Sequence, residues 1–410
     1  MIEIADRAVV RGTSRSAGKR PQPAAASRDG AGFAPLAAVP ASQWRALAER
    51  ASDPNGYYLP DWELAVNASA RGRTGVSALA AWSDASPSSD GAARLIGLLP
   101  AISLWRAYKI PLPVLVSADP YGTLGTPALD RERAEDAASG LMREARKAGA
   151  HALILRDVAL DGAAIRTFTE VLRQGGMRPR LLQSHLRACL DATRDAGELL
   201  RDALGPKKLK ELRRQRNRLA EHGEVRFEVA RTPQETASAV EIFLTLEASG
   251  WKAQHGTALK QHDGDAGFLR RATADLAELR QCEVVTLFAG DTPVAAAIVL
   301  RHQDRAFYFK LGVDERFARL SPGVQLTLDL TRHLCADPDI ALVDSSANAD
   351  HPMINPIWRG RLAIGDVLIP LRPRDPVVPL VHGALKLRSM IREPLRRAIH
   401  FIRERQEKPS

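Results

Sequence analysis

The stretch FYFKLGVDERFARLSPGVQLTLDL, Phe307 to Leu330, constrains this chain most, because two periodicities meet there across only a charged loop and Ser-Pro-Gly. Phe307 and Phe309 alternate with Tyr308 and Lys310, the period of a strand with one buried face, and this alternation points Lys310 away from Phe309. A leucine-rich helical pattern follows at once. Ser321 suits a helix cap, Pro322 the first helical position, where no amide donor is needed, and Gly323 a close backbone approach. Free amides and the helix dipole at such a start can hold an anion. Leu320, Ser321, Pro322, Gly323, Val324 and Gln325 are therefore the candidate cradle for a phosphate or carboxylate, with an ordinary capped helix as the alternative.

At 410 residues the chain exceeds the size at which one hydrophobic core keeps growing, which predicts two domains. Cys189, Cys282 and Cys335 are isolated, odd in number and free of Cys-x-x-Cys spacing, which argues against a disulfide framework and against a metal site. A reducing, cytoplasmic setting fits. The first residues, MIEIADRAVVRGTSRSAGKRPQPAAAS, mix acids, bases and prolines where a signal peptide has an apolar core. The apolar runs around Leu95 to Trp105 and Val294 to Leu300 are shorter than the roughly 20 residues a membrane helix requires.

A net charge of +10 points towards acidic partners, and two segments concentrate it. In GPKKLKELRRQRNRLAEHG, Leu209, Leu212 and Leu219 share a helix face while Lys207, Lys208, Lys210, Arg213, Arg214, Arg216 and Arg218 crowd the rest. That face is either solvated or a phosphate contact. In the tail, Ala384, Leu387, Ile391, Leu395, Ala398 and Ile402 recur at helical spacing among seven basic residues, interrupted by Pro394. Such a helix packs on its own domain or lies on an anionic membrane surface.

Along the chain, residues 1–34 lack periodicity and are expected to be disordered. Strands at Val76 to Trp82, Arg94 to Ile102, His151 to Val158 and Ser184 to Leu190 interleave with helices at Ala134 to Ala148 and Asp161 to Gly175. After the basic helix a similar order returns, with strands starting at Val225, Cys282, Val294, Ala306 and Ile340 and helices starting at Pro233, Phe268 and Pro322. The pattern is α+β, in two comparable units over 35–195 and 196–373, followed by a basic tail over 374–410.

The segments LEASGWK, DTPVAAAIVL, FYFKLGVDERFARLSPG and VDSSANADHPMINPIW resemble the FemAB-like, doubled branch of the GCN5-related N-acetyltransferases (GNAT), which includes CelD- and BioF2-like proteins. The resemblance covers roughly 200–370 well and the first half as a degenerate copy. It implies two tandem GNAT-like units with mixed, mainly antiparallel sheets flanked by helices. The Gln/Arg-x-x-Gly-x-Gly/Ala phosphate loop of ordinary members is replaced by ARLSPG, which leaves both acyl-CoA and an acyl carrier protein open as co-substrate, with no permanently bound cofactor.

The chemistry that the resemblance implies is direct attack of an acceptor amine on a thioester, which needs a base, a polarised carbonyl and a proton for the leaving thiolate. Glu247 is a candidate base. Trp251 is core or substrate wall, Lys252 an anion contact, and Lys310 a mid-strand lysine beside the acyl site or an edge lysine. Asp314 orients the amine or caps its loop, Asp344 ends an apolar strand where side chains enter clefts, and His351 is a base or structural. Trp358 and Arg361 are assigned to the substrate, with Arg359 and Arg361 either binding an anion or lying on the surface. Phosphate-loop, Gly-x-Gly-x-x-Gly, His-Glu-x-x-His and Gly-x-Ser-x-Gly signatures are absent from the sequence. No aromatics interleave with the basic helix, so it lacks the stacking platform of a single-stranded nucleic-acid binder. The reading is an N-acyltransferase acting on a lipid amine or an amino sugar, with aminoacyl-tRNA transfer, nucleic-acid binding and a polysaccharide-synthesis scaffold as alternatives.

Overall fold

The computed structural model describes residues 33–83, 93–249, 258–388 and 390. The first half contributes strands β1 (Phe33–Pro35), β2 (Ser77–Trp82), β3 (Leu95–Ser103), β4 (Val114–Ser117), β5 (Ala128–Leu129), β6 (Ala152–Ala159) and β7 (Arg180–Asp191). Its helices are α1 (Ala41–Glu49), α2 (Pro60–Ser69), α3 (Leu104–Tyr108), α4 (Ala134–Lys147) and α5 (Ala163–Gln174). The second half adds helices α6 (Ala196–Ala220), α7 (Pro233–Ser249), α8 (Asp263–Glu278) and α9 (Pro322–Cys335). Its strands are β8 (Val225–Ala230), β9 (Cys282–Ala289), β10 (Thr292–His302), β11 (Arg305–Val313), β12 (Leu342–Asp344) and β13 (Gly360–Pro370).

Helices flank a mixed, mainly antiparallel sheet, as the alternation of elements predicts; among the described pairs only β4 with β6 and β11 with β12 run parallel. The two halves do not form two sheets, however. All strands join one sheet in the order β1-β2-β3-β4-β6-β13-β7-β12-β11-β10-β9-β8, with β5 beside β3. The last strand of the second half therefore lies between β6 and β7, and β7 lies between β13 and β12. A boundary at residue 195 divides the chain but not the sheet. Phe33 and Ala34, expected in the aperiodic leader, pair with β2.

The apolar runs of β9 and β10 read as continuous because both faces are covered. Val284, Ala296 and Ile298 face a core that holds Phe243 of α7 and Phe268 of α8. Val285, Ala297 and Val299 face another with Leu326 and Leu330 of α9. Burying each such valine, leucine or phenylalanine stabilises the fold by about 2 kcal/mol. The first of these cores also takes Tyr57, Leu59 and Trp62 from the first half, so the halves share packing as well as strands. Helix α6 begins at the Asp195 cap, bends at Gly205 (φ 68°) before Pro206, and buries Leu212 and Leu219, leaving most of its basic side chains exposed. Cys189 and Cys282 are buried free thiols, and Cys335 is partly buried. Among the described residues no helix is long and apolar enough to cross a membrane.

Candidate active site

A cleft of about 680 Å³ takes its walls from both halves of the chain. The first half supplies Tyr57, Arg73, the loop from Ala118 to Gly125 that follows β4, and Arg156 and Asp157 of β6. The second supplies Tyr308 to Leu311 of β11 and the segment from Ser345 to Ile354 that follows β12. Both parallel strand pairs thus send residues into one cleft, at the kind of position where α/β sheets bind ligands.

Each half aims charge into the cleft with a β-bulge. On β11 the register against β10 passes from Lys310 opposite Ile298 to Tyr308 opposite Val299, which leaves Phe309 unpaired. The extra residue resets the alternation. Lys310 consequently shares a side with Phe309 instead of opposing it: its Nζ lies 5.8 Å from the Phe309 ring centre and 5.6 Å from that of Tyr121. On β6, Arg156 and Asp157 together oppose Asp366 of β13, and Asp157 adopts a left-handed φ of 49°. The Asp157 amide donates to the Asp366 carboxylate at 2.9 Å. Burial, followed by the nearby charge of Asp366, pushes the Asp157 carboxyl up to about 6.

The floor is an aromatic and polar cluster. Trp62 meets Phe309 edge to face at 4.8 Å between centroids, and Tyr57 packs on Phe307 and Phe309. The Tyr57 hydroxyl hydrogen-bonds the Ser346 hydroxyl at 2.6 Å. Gly122 is required where it stands, since a Cβ there would lie 2.4 Å from the Tyr57 ring. At the rim, Arg73 pairs with Asp119 at 2.8 Å and stacks 4.1 Å over Tyr121. Arg156 donates from Nε and Nη2 to the Ser117 carbonyl. Arg73, Arg156 and Lys310 bring positive charge to a cleft that also holds the carboxylates of Asp119 and Asp157.

Of the residues singled out in the sequence, Lys310 and His351 line this cleft. His351 Nδ1 accepts from the amides of Met353 and Ile354 at 3.3 and 3.4 Å, which places the proton of the neutral ring on Nε2. Burial lowers its pKa, so it is neutral at pH 7. Asp344 does not line the cleft. It forms a buried ion pair with Arg187 at 2.9 Å and accepts from the Ser346 amide, while Arg187 donates to the carbonyl and hydroxyl of Thr123. Asp344 therefore positions Ser346 and the loop after β4. Glu247 is buried, and its Oε2 accepts from the Leu259 amide at 2.8 Å, tying α7 to the short helix Leu259–Gln261. Asp314 caps the short helix Glu315–Leu320 through the Arg316 amide.

The Ser-Pro-Gly start of α9 differs from its expected role. Ser321 lies in the left-handed region (φ 54°) and makes no side-chain cap bond. A Cβ on Gly323 would meet Leu311 at 2.9 Å and Val313 at 3.1 Å, so this glycine lets the helix press on β11. Gln325 donates to the Leu212 carbonyl, tying α9 to α6, and Leu320 and Val324 pack against the same core. None of these six residues lines the cleft, although Leu311 and Met353, which Gly323 faces, do. Trp358 is core: fully buried, it donates to Thr331 Oγ1 at 2.9 Å. Arg361 binds the carbonyls of Trp358 and Gly360, and Arg359 that of Ala203. Trp251 and Lys252 lie outside the described residues.

The residues missed in the sequence come mostly from the first half: Arg73, Tyr121, Arg156 and Asp157. Two local signals pointed there. The apolar strand HALILRDV ends in a charged pair, and Asp-Pro-Tyr-Gly follows the apolar VLVSA. Among the described residues no group of three metal-ligating side chains comes together.

Residues 206–351 match the family model described as an acetyltransferase (GNAT) domain. Its span includes α7, the bulged β11, the start of α9 and the segment after β12, so the match falls within the second half of the chain. Over most of its length the chain shares its fold with solved structures. It is similar to the crystal structure of FemX over 84% of this chain and 98% of that one, with 10% identity and a TM-score of 0.54. It is also similar to the C-terminal DUF2156 domain of a putative lysylphosphatidylglycerol synthetase from Agrobacterium fabrum, over 84% and 96%, with 13% identity and a TM-score of 0.50. No curated protein matches the chain by sequence.

Proposed function

We propose that the protein transfers an acyl group from a thioester donor, coenzyme A or an acyl carrier protein, to an amine bound in the shared cleft. The observation that carries this reading is Lys310, turned by the Phe309 bulge into a cleft wall built on aromatic rings. The amine nitrogen attacks the thioester carbonyl carbon, the C–N bond forms, and the carbonyl oxygen gains negative charge. Lys310 is the cation that meets this charge. Asp157, titrating at about 6, is ionised at pH 7 and accepts the ammonium proton directly or through a water. Collapse breaks the C–S bond, the nitrogen gives up its extra proton to water, and the leaving thiolate takes the proton that Asp157 holds, so that a thiol is released and Asp157 is ionised again. Arg73 and Arg156 serve phosphate or other anionic groups on the reactants. The acceptor we favour is a lipid amine such as a sphingoid base, with an amino sugar of an envelope polysaccharide next.

The test pairs donor binding with turnover. Acetyl-, medium-chain and palmitoyl-coenzyme A, an acyl carrier protein and an aminoacyl-tRNA are titrated by calorimetry, and thiol release is followed with a long-chain amine. Binding of a thioester, with thiol release reduced about 100-fold or more in Lys310→Ala and partly restored in Lys310→Arg, is expected. Binding of the charged tRNA alone moves the assignment to aminoacyl transfer. Gly323→Asp is a poor probe of the donor site, because its side chain would strike Leu311 and Val313.

A further inference from the structure

Residues 377–388 are helical and pack one side on the body of the protein: Val378 and Val381 are buried with Leu104, Val114, Ile154 and Leu368. The other side carries Leu380, Leu387 and Met390, which are 59%, 60% and 64% exposed. Spacings of seven and three residues set these three on one face. The helix is thus apolar on two sides, and among the described residues only one of them has a partner. Beside it, α3 exposes Trp105 by 55%, with the Lys109 ammonium 5.6 Å over the indole. Arg388 joins the two helices, donating to the Tyr108 carbonyl and stacking 5.2 Å over the Tyr108 ring.

Four of the nine large hydrophobics that the described residues expose are on these two short elements, which sets this surface apart from scattered single exposures. Its charge is of one sign. Neither 377–390 nor 104–112 contains an aspartate or glutamate, while Arg106, Lys109, Lys386 and Arg388 border the apolar side chains. An apolar stripe flanked by lysine and arginine, with an indole beside it, matches the interfacial region of a bilayer with anionic headgroups.

We propose that α3 and the helical residues 377–388, together with Met390, form a docking face for an anionic bilayer. The face adjoins the cleft: Tyr108, held by Arg388 at its carbonyl, has a hydroxyl that interacts with Arg156, which lines the cleft. A docked molecule presents the first-half end of the cleft to whatever the bilayer carries. That consequence rests on the acyl-transfer reading; the docking does not.

The full chain is sedimented with vesicles of phosphatidylcholine alone and with vesicles containing one third phosphatidylglycerol, with no acyl donor or acceptor added. Sedimentation is expected with the anionic vesicles only, and to weaken at high salt. In Leu380→Ser/Leu387→Ser, whose side chains are exposed and whose melting temperature should match wild type, the partition falls about tenfold or more. Equal sedimentation of the double variant overturns the proposal, as does equal binding to neutral vesicles. Self-association without vesicles that the same variant abolishes would assign the face to a second copy instead. Because neither substrate is present, failure here leaves the transfer reaction standing, and failure of the thiol-release assay leaves the docking result standing.

Discussion

Asp157 combines a left-handed backbone with a carboxyl held up at about 6, inside the cleft and opposite a second carboxylate. Such strain and desolvation persist only where the surrounding fold over-determines them, and they concentrate at functional sites. The sign of the linkage is definite: the folded pKa lies above the ordinary 3.8, so folding favours the protonated form, and stability is lost as pH rises through about 6. At pH 7 the ionised group costs about 3 kcal/mol. Asp157→Asn is therefore expected to raise the melting temperature at pH 7 while lowering kcat/KM, and to remove the limb near pH 6 from its pH profile. A variant that melts lower and keeps that limb would reduce Asp157 to a structural carboxylate. Residue types alone did not disclose this site. Glu247, Asp314 and Arg361 stand out as charges near suggestive motifs, but each has backbone partners, and a sequence names a charge without naming what it binds. Lys310 was legible as a lysine in mid-strand; the bulge that turns it was not, because register is a property of two strands.

Strands β9 and β10 are tied to α9 by one buried carboxylate. Glu283 on β9 accepts from Arg301 of β10 and from His333 of α9, and Arg301 reaches Asp337 beyond the helix. Burial alone would raise the Glu283 carboxyl, yet the hydrogen bonds and charges of His333 and Arg301 outweigh it and hold the group at about 2. A depressed carboxylate stabilises above its unfolded value near 4.5, and that contribution disappears as pH falls towards 2. Glu283→Gln should lower stability at pH 7 by about 3 kcal/mol, with the gap to wild type closing between pH 4.5 and 2, as read from urea midpoints. A gap independent of pH would mean that packing rather than charge is lost. At this scale much was legible. The runs Val225–Ala230, Cys282–Ala289 and Pro322–Cys335 stand where period and punctuation put them. β13 is not legible in the sequence, because GRLAIGDVLIP contains two glycines, an aspartate and a terminal proline that blur its alternation. The short β4 and the α2 helix, with its weak amphipathic contrast, were passed over for related reasons.

Across the whole molecule, the pairs β6–β13, β13–β7 and β7–β12 interlock the halves, and the buried Arg187–Asp344 pair crosses the same seam. Two autonomous units, the natural reading of a repeated element order, would melt separately; interlocked ones should not. Urea unfolding followed by far-UV circular dichroism and by tryptophan fluorescence is expected to give coincident transitions. A chain ending before Gly360 should lose the protected amides of β6 and β7 along with its own second half, as hydrogen exchange would reveal. Retention of a protected first half would contradict this coupling. The exchange also has a temporal side. Synthesis runs from the amino end at about 5–20 residues per second. β6 and β7 leave the ribosome with the slot between them empty, and the strand that fills it is made roughly 170 residues later. For that interval of about 10 to 35 seconds β6 has one open edge and β7, whose other neighbour β12 is also made late, has two for most of it, so chaperone demand should track the distance to β13 rather than the size of either half.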